Sequence, residues 1–384
     1  MKISLISPAP PFHGGIVTSA AYVVKHLLSR DHDVQWISLK KQYPKIIFPG
    51  TSQTSDVAQW MQMPNEPVIV PWLPWTWFSA AKLIKKNKPD AVFIKYWLPY
   101  FAPAFGTIAR LCKRAGLPVY FILDNVIAHE KYPFAKQLTR YALSPGDGFI
   151  AQSDQVRSDL LSEVPSVAPG SVVTVPLPVF DFGIPGRERK TKSNARAELG
   201  ISNTCKVVLF FGFIKAYKGL EYLIDAAPML QGKFGNNIKV LIVGDIYGDK
   251  KPYLDRIAES SASDIIQLVD GYMPDEIVED YFVASDLVAL PYVSATQSGI
   301  VQIAMNYDLP VVSTTVGGLP EVVDHGRTGF LVPPKNSESL GEAIIKFFDD
   351  DLAEKFSSAV AVEKEKYSWD RMCEAIEKLA SVNE

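Results

Sequence analysis

Apolar and polar positions along the chain follow two alternating periods. KISLIS, DVQWISL, AVFIKY, LPVYFILD and GFIAQS are short apolar runs, and helically spaced stretches near residues 17–30, 103–115 and 134–144 lie between them. Unbroken apolar runs bounded by turn residues predict strands buried on both faces, and the stretches between them predict amphipathic helices. SVVTVPLP closes this series, and the basic, irregular segment GIPGRERKTKSN follows. A second series runs VVLFFG, helix 219–231, IKVLIVG, helix 252–260, IIQLVD, helix 275–284, LVALPY, helix 299–307, PVVSTT, a helix near 318–323, and GFLVP. Helices near 337–350, 352–366 and 369–381 have no strand after them.

Strands alternating with helices predict parallel sheets covered on both faces. The expectation is an α/β chain of two doubly wound, Rossmann-like domains. Ligands of such folds bind at the carboxyl ends of the strands. If the two domains face each other across a cleft, the chemistry is expected there.

A length of 384 residues suits two domains. No stretch of about 20 apolar residues lacks charges, so no membrane-spanning helix is predicted. The apolar part of MKISLISPAP is too brief for a signal peptide, which predicts a cytoplasmic chain. Cys112, Cys205 and Cys373 are odd in number and show neither metal-site nor disulfide spacing. The net charge of −3 hides an asymmetry: residues 1–185 carry 18 Lys and Arg against 12 Asp and Glu, and the remainder carries 21 against 30. The basic half and the acidic half are expected to meet different partners, although such asymmetry also arises by drift.

Four stretches carry candidate chemistry. After the first strand, Gly14 and Gly15 precede a helix, where backbone can approach an anion closely. They do not form the GxGxxG dinucleotide fingerprint. In VVLFFGFIKAYKGLEYLI the strand stops at Gly212, and Lys215 and Lys218 sit in the turn before the next helix, placed for a diphosphate. The P-loop pattern is absent. In PYVSATQSGIVQIAMNYDLPVV, Thr296, Gln297, Ser298 and Gly299 offer backbone N–H groups and hydroxyls at a helix start, or Ser298 simply caps that helix. In FILDNVIAHEKYPF, Asp124, Asn125, His129 and Glu130 follow a strand of the first domain; a histidine there can serve as acid, base or donor to a sugar.

The segment VPWLPWTWFSAAKLIKKNKPD sets Trp72, Trp75, Trp77 and Phe78 beside Lys82, Lys85, Lys86 and Lys88. That is the composition of a membrane-interface segment, and equally of a helix with a buried aromatic side and a solvated lysine side. No nucleic-acid motif is present, so no nucleic-acid partner is expected.

Five stretches in order resemble the family-4 (group 1) retaining glycosyltransferases of GT-B fold. They are PPFHGGI, FFGFIKAYKGLEYLI, DGYMPDEIVEDYFVASDLVALPY, PVVSTTVGGLPEVVDHGRTGFLVPP and YSWDRMCEAIEKLA, and together they span essentially the whole chain. The resemblance implies an acceptor-binding domain at 1–182, a linker at 183–195, a nucleotide-sugar domain at 196–366 and a helix at 367–384 that crosses back to the first domain. It implies that Lys215 and Lys218 hold the donor diphosphate, with Gly14 and Gly15 against it from the first domain. His129 resembles the family's histidine at the donor sugar, so His129 and Lys218 are the catalytic candidates. Tyr272 and Met273 would frame the nucleobase, and Gly212, Thr296, Gln297, Ser298, Gly299 and Gln302 the rest of the donor. Asp124, Asn125 and Glu130 are acceptor-side candidates. No metal or cofactor is implied, because positive side chains and backbone amides stabilise the leaving diphosphate.

There is one departure. The family's paired glutamates fall on Ala295 and Ile303, and Gln297 and Gln302 are the nearest polar substitutes. The expected partners are a nucleoside-diphosphate sugar and a glycan or lipid-linked acceptor, in surface polysaccharide or glycolipid synthesis. Peripheral contact with the inner membrane face would run through the basic, aromatic first domain. A non-catalytic protein of the same fold, or a sugar-nucleotide epimerase, is the alternative.

Overall fold

The architecture follows from apolar strands too short to fold alone and helices that cover both of their faces. The structure is a computed structural model and describes residues 1–44, 53–54, 59–127, 132–182, 188–271 and 273–381. Its contacts divide the chain into two units, Met1–Pro178 with Tyr367–Glu384, and Val179–Lys366.

The first unit runs β1 (Lys2–Ser7), α1 (Gly15–Ser29), β2 (Asp33–Leu39), β3 (Glu66–Ile69), α2 (Pro74–Asn87), β4 (Ala91–Tyr96), α3 (Ala102–Arg114), β5 (Val119–Leu123), α4 (Ala135–Leu143), β6 (Gly148–Ala151), α5 (Asp154–Glu163) and β7 (Val172–Thr174). Its seven strands are parallel in the order β3-β2-β1-β4-β5-β6-β7. Every residue of β4 and β5 is buried, as a parallel strand under helices requires.

The second unit runs α6 (Lys192–Glu198), β8 (Lys206–Phe211), α7 (Leu220–Phe234), β9 (Ile238–Gly244), α8 (Lys251–Glu259), β10 (Ile266–Asp270), α9 (Asp275–Ala284), β11 (Leu287–Leu290), α10 (Gly299–Asn306), β12 (Val311–Thr314), α11 (Leu319–Val322), β13 (Gly329–Val332), α12 (Ser337–Asp349) and α13 (Ala353–Glu363). Its six strands are parallel in the order β10-β9-β8-β11-β12-β13. The chain order reverses between β8 and β11, and between β1 and β4 in the first unit. These are the switch points at which doubly wound sheets open a crevice.

The last helix, α14 (Trp369–Ser381), packs on α1 in the first unit. Trp369 stacks on Tyr22 with ring centroids 4.9 Å apart, and Glu377 takes Arg30 and His32 at 2.8 Å each.

Three elements escape the hydrophobic pattern. β3 is a half-exposed edge strand, and α5 is largely polar, although Ser153 caps it by accepting from Val156 N–H. α6 begins inside the stretch 183–195 read as linker, and the units part between Pro178 and Val179. The reason is side-chain contact that composition does not reveal. Arg189 donates to the Asn306 carbonyl at 2.9 Å, Asn306 donates to Asp181 at 3.1 Å, and Arg196 is clamped on Asp286. Among the described residues no helix is long and apolar enough to cross a membrane.

Candidate functional site

The second unit brings Gly212, Lys215, Lys218 and the 296–299 loop to the β8/β11 switch point. After β8, Gly212 donates its N–H to the Val243 carbonyl at 2.9 Å, and a single turn over Ala216–Lys218 leads to Gly219. Gly219 has φ 62°, and a Cβ there would lie 2.1 Å from the Pro291 carbonyl oxygen. Only glycine allows the loop after β8 to approach the loop after β11 this closely. The two loops are further joined by the Val293 N–H, which donates to the Tyr217 carbonyl at 2.8 Å.

That joining buries Lys218, which is 8 % exposed. Its Nζ donates to the Tyr292 hydroxyl at 2.8 Å, and the Tyr292 hydroxyl lies 3.3 Å from Ser298 Oγ. Burial pushes the Lys218 pKa down; Tyr217 opposes the fall and the Lys215 charge adds to it. Burial likewise pushes the Tyr292 phenol up, so it stays neutral. Lys215 is half-buried, with its Nζ 5.4 Å from the centre of the Tyr247 ring. Both lysines of the turn therefore rest on tyrosines.

Ser298 caps α10 by accepting from Ile300 N–H at 3.3 Å. The loop before it is held from below. Gly317 has φ 53°, and a Cβ there would stand 1.6 Å from the Ala295 carbonyl oxygen. Gly318 N–H donates to the Thr296 carbonyl at 3.1 Å. The glycine pair of PVVSTTVGG is thus a seat for the 295–298 loop. Ala295 and Ile303 are both buried. Gln302 is also buried, and its Oε1 has no hydrogen-bond partner among the described residues. Gln297 is half-buried on the loop, and Gly299 opens the helix beneath Phe180. Met273 is half-buried just before α9; Tyr272 lies outside the described residues.

In the first unit Gly14 caps α1, its carbonyl accepting from Val17 N–H at 2.9 Å, and among the described residues nothing lies within 4 Å of a Cβ at Gly15. Asp124 is not displayed to solvent. Both of its carboxylate oxygens sit within 2.9 Å of Lys95 Nζ, and Lys95 is fully buried in β4. Burial pushes the Asp124 carboxyl up and the Lys95 charge opposes that. Asn125 beside it is half-buried, while His129 and Glu130 lie outside the described residues. Helix α2 splits the aromatics of the tryptophan–lysine segment, with Trp77 packed against the core of the first unit. It buries Ala80, Ala81 and Ile84, and it leaves Trp75 65 % and Phe78 56 % exposed beside Lys82, Lys85 and Lys86.

Tyr292, Tyr247 and Lys95 escaped the sequence reading. Tyr292 carried a signal, since it follows a buried strand of the switch point by two residues. Lys95 carried one too, as a lone cation in an apolar strand.

The description "Glycosyltransferase Family 4" matches residues 13–179, and "Glycosyl transferases group 1" matches residues 205–350. The chain belongs to these glycosyltransferases. A D-inositol 3-phosphate glycosyltransferase of Corynebacterium jeikeium is 31 % identical over 242 residues, 61 % of this chain and 57 % of that one. An uncharacterised glycosyltransferase of Methanocaldococcus jannaschii is 29 % identical over 195 residues, 50 % of this chain and 48 % of the other. The chain thus spans about half the length of these relatives. The Anabaena HepE structure in complex with UDP covers 100 % of both chains at 19 % identity with a TM-score of 0.77. With the two parallel sheets, that likeness gives this family-4 chain the GT-B fold.

Proposed function

We propose that the chain is a retaining, metal-independent glycosyltransferase that moves a hexose-type sugar from a nucleoside diphosphate to a glycan or lipid-linked acceptor. The carrying observation is Lys218, a buried ammonium at the switch point with a neutral tyrosine as its hydrogen-bonding partner. A buried cation is costly until an anion arrives, so the site favours a diphosphate. As the bond from the anomeric carbon to the diphosphate breaks, negative charge gathers on the departing oxygen. Lys218, with Lys215 beside it, offsets that charge. The acceptor hydroxyl forms the new bond on the same face and yields its proton to the departing diphosphate. Ser298, Gly299 and the start of α10 hold the phosphates, while Gln297 and Gln302 stand in for the paired carboxylates. The UDP complex of HepE supports a nucleotide of this class.

The outer face of α2 supports a further part of the reading. Trp75, Phe78, Lys82 and Lys85 follow one another at helical three- and four-residue steps. Exposed aromatics beside lysines match the headgroup layer of an anionic membrane, and the chain is proposed to act cytoplasmically at the inner membrane face on a lipid-linked acceptor of surface polysaccharide or glycolipid synthesis.

The test is a calorimetric titration with UDP, GDP, ADP and their sugar conjugates, repeated on Lys218→Ala. One nucleotide is expected to bind, and the variant to lose about 1.5–3 kcal/mol, as for a hydrogen bond to a charged group. Ala295 and Ile303 favour a second reading, a non-catalytic protein of this fold. Absence of any nucleotide binding would replace the first reading by the second. A donor altered with no acceptor present would instead indicate an epimerase.

A further inference from the structure

Tyr292 does more than fill space under the switch point. Lys218 has hydrogens only to give, so the Tyr292 oxygen accepts from it at 2.8 Å. The phenol is left with one hydrogen, buried, and Ser298 Oγ at 3.3 Å is there to receive it. Ser298 Oγ also accepts from Ile300 N–H at 3.3 Å. Both of its lone pairs are then engaged, and its own hydrogen is available to a group outside the chain of three. The backbone of Tyr292 is fixed by Thr314, whose hydroxyl donates to its carbonyl at 2.6 Å.

We infer that Tyr292 is a positioning residue that sets the direction of this hydrogen-bond chain, so that Lys218 and Ser298 meet the ligand as donors only. This deepens the proposed donor site and rests on that reading. Lys218 follows β8 and Ser298 follows β11, so one hydroxyl links the two sides of the crevice. A cradle of donors selects a fully ionised diphosphate, whose peripheral oxygens only accept. It disfavours ligands that bring an O–H of their own to the same place, because two donors would face each other.

The test is Tyr292→Phe, which keeps the ring and removes one oxygen, with Ser298→Ala and the double variant. The probes are UDP and inorganic pyrophosphate, titrated calorimetrically from pH 6.5 to 9.5. Tyr292→Phe is expected to lower affinity about tenfold near neutrality, the size of one hydrogen bond to a charged group. Ser298→Ala is expected to cost less in the Tyr292→Phe background than it does alone, because the two residues act through one chain. The pH profile separates positioning from mere packing. Among the described residues, the titratable groups facing Lys218 are Lys215 and Tyr217 of its own loop and Tyr292 across from it. Affinity requires the ammonium, so it falls as pH rises through the lowered pKa of Lys218. Without its acceptor the ammonium gives up its proton more readily, and the fall moves to lower pH in Tyr292→Phe.

Wild-type affinity and an unmoved pH profile in Tyr292→Phe would overturn the inference and leave the donor site intact. So would fully additive losses in the double variant. Should Tyr292→Phe fail to fold, Ser298→Ala decides, since wild-type affinity there is equally contrary. Pyrophosphate binding without nucleotide binding would retain the inference and remove the glycosyltransferase reading. No binding of either probe to the wild type would remove both.

Discussion

Replacing Asp124 by asparagine takes one charge from a pair that is closed to solvent. Lys95 Nζ lies 2.8 Å from the carboxylate, with Lys95 fully buried and Asp124 nearly so. At that distance the attraction is about 6 kcal/mol in an effective dielectric of about 20. Desolvation of two ions consumes much of this, so the pair itself contributes little net stability. Its rupture is different. Asp124→Asn leaves the Lys95 ammonium buried without its carboxylate, which costs about 3–5 kcal/mol. The double variant Lys95→Met/Asp124→Asn removes both charges and is expected to be more stable than Asp124→Asn alone. Urea unfolding followed by tryptophan fluorescence reads this directly, because all seven tryptophans, residues 36, 60, 72, 75, 77, 97 and 369, belong to the first unit. A loss below about 1 kcal/mol in Asp124→Asn, or additive losses in the double variant, would refute the argument. A stable Asp124→Asn with impaired transfer would return Asp124 to the acceptor side.

Three further outcomes are expected. Arg30, and then His32, hold the Glu377 carboxyl down to about 2, so its stabilisation of the α14–α1 contact is complete above the ordinary value of 4.5 and disappears as pH falls to about 2. Glu377→Gln should therefore unfold at lower temperature than the wild type at neutral pH, and the gap should close near pH 2; a pH-independent gap would contradict the ion pair. Gly317→Ala places a Cβ 1.6 Å from the Ala295 carbonyl oxygen at a left-handed φ. The backbone strain alone is about 1–2 kcal/mol, so calorimetric melting should show the second unit destabilised and UDP titration should show weaker binding, and an unchanged variant would remove the seat assigned to the 295–298 loop. Sedimentation with phosphatidylglycerol vesicles should carry the protein down at low salt and not at high salt, with loss in Trp75→Ser/Phe78→Ser and in Lys82→Gln/Lys85→Gln. Concentration-dependent self-association abolished by those same variants, without vesicle binding, would assign the α2 face to a second copy instead.

The strand–helix order and the two parallel sheets were legible in the residues, because a strand buried on both faces must be apolar along its whole length, whereas the GT-B likeness came from the resemblance of five ordered motifs to a known family. The turn GFIKAYKG was legible for the same local reason: glycine, lysine and a helix start are neighbours in the chain. Tertiary structure alone decided what surrounds them. Tyr292 is 74 residues from Lys218 and becomes its partner only because β8 and β11 lie side by side. Asp124 reads as a polar residue at a strand end, yet parallel pairing of β4 with β5 brings the Lys95 ammonium to it and removes both from water. The aromatics of α2 read equally well as core or surface, and the helix packs Trp77 against the core with Ala80, Ala81 and Ile84 while it leaves Trp75 and Phe78 exposed. Periodicity along one chain fixes which side chains share a face; which face meets the sheet, and which charges then meet each other, depends on strand order, to which no single stretch of sequence has access.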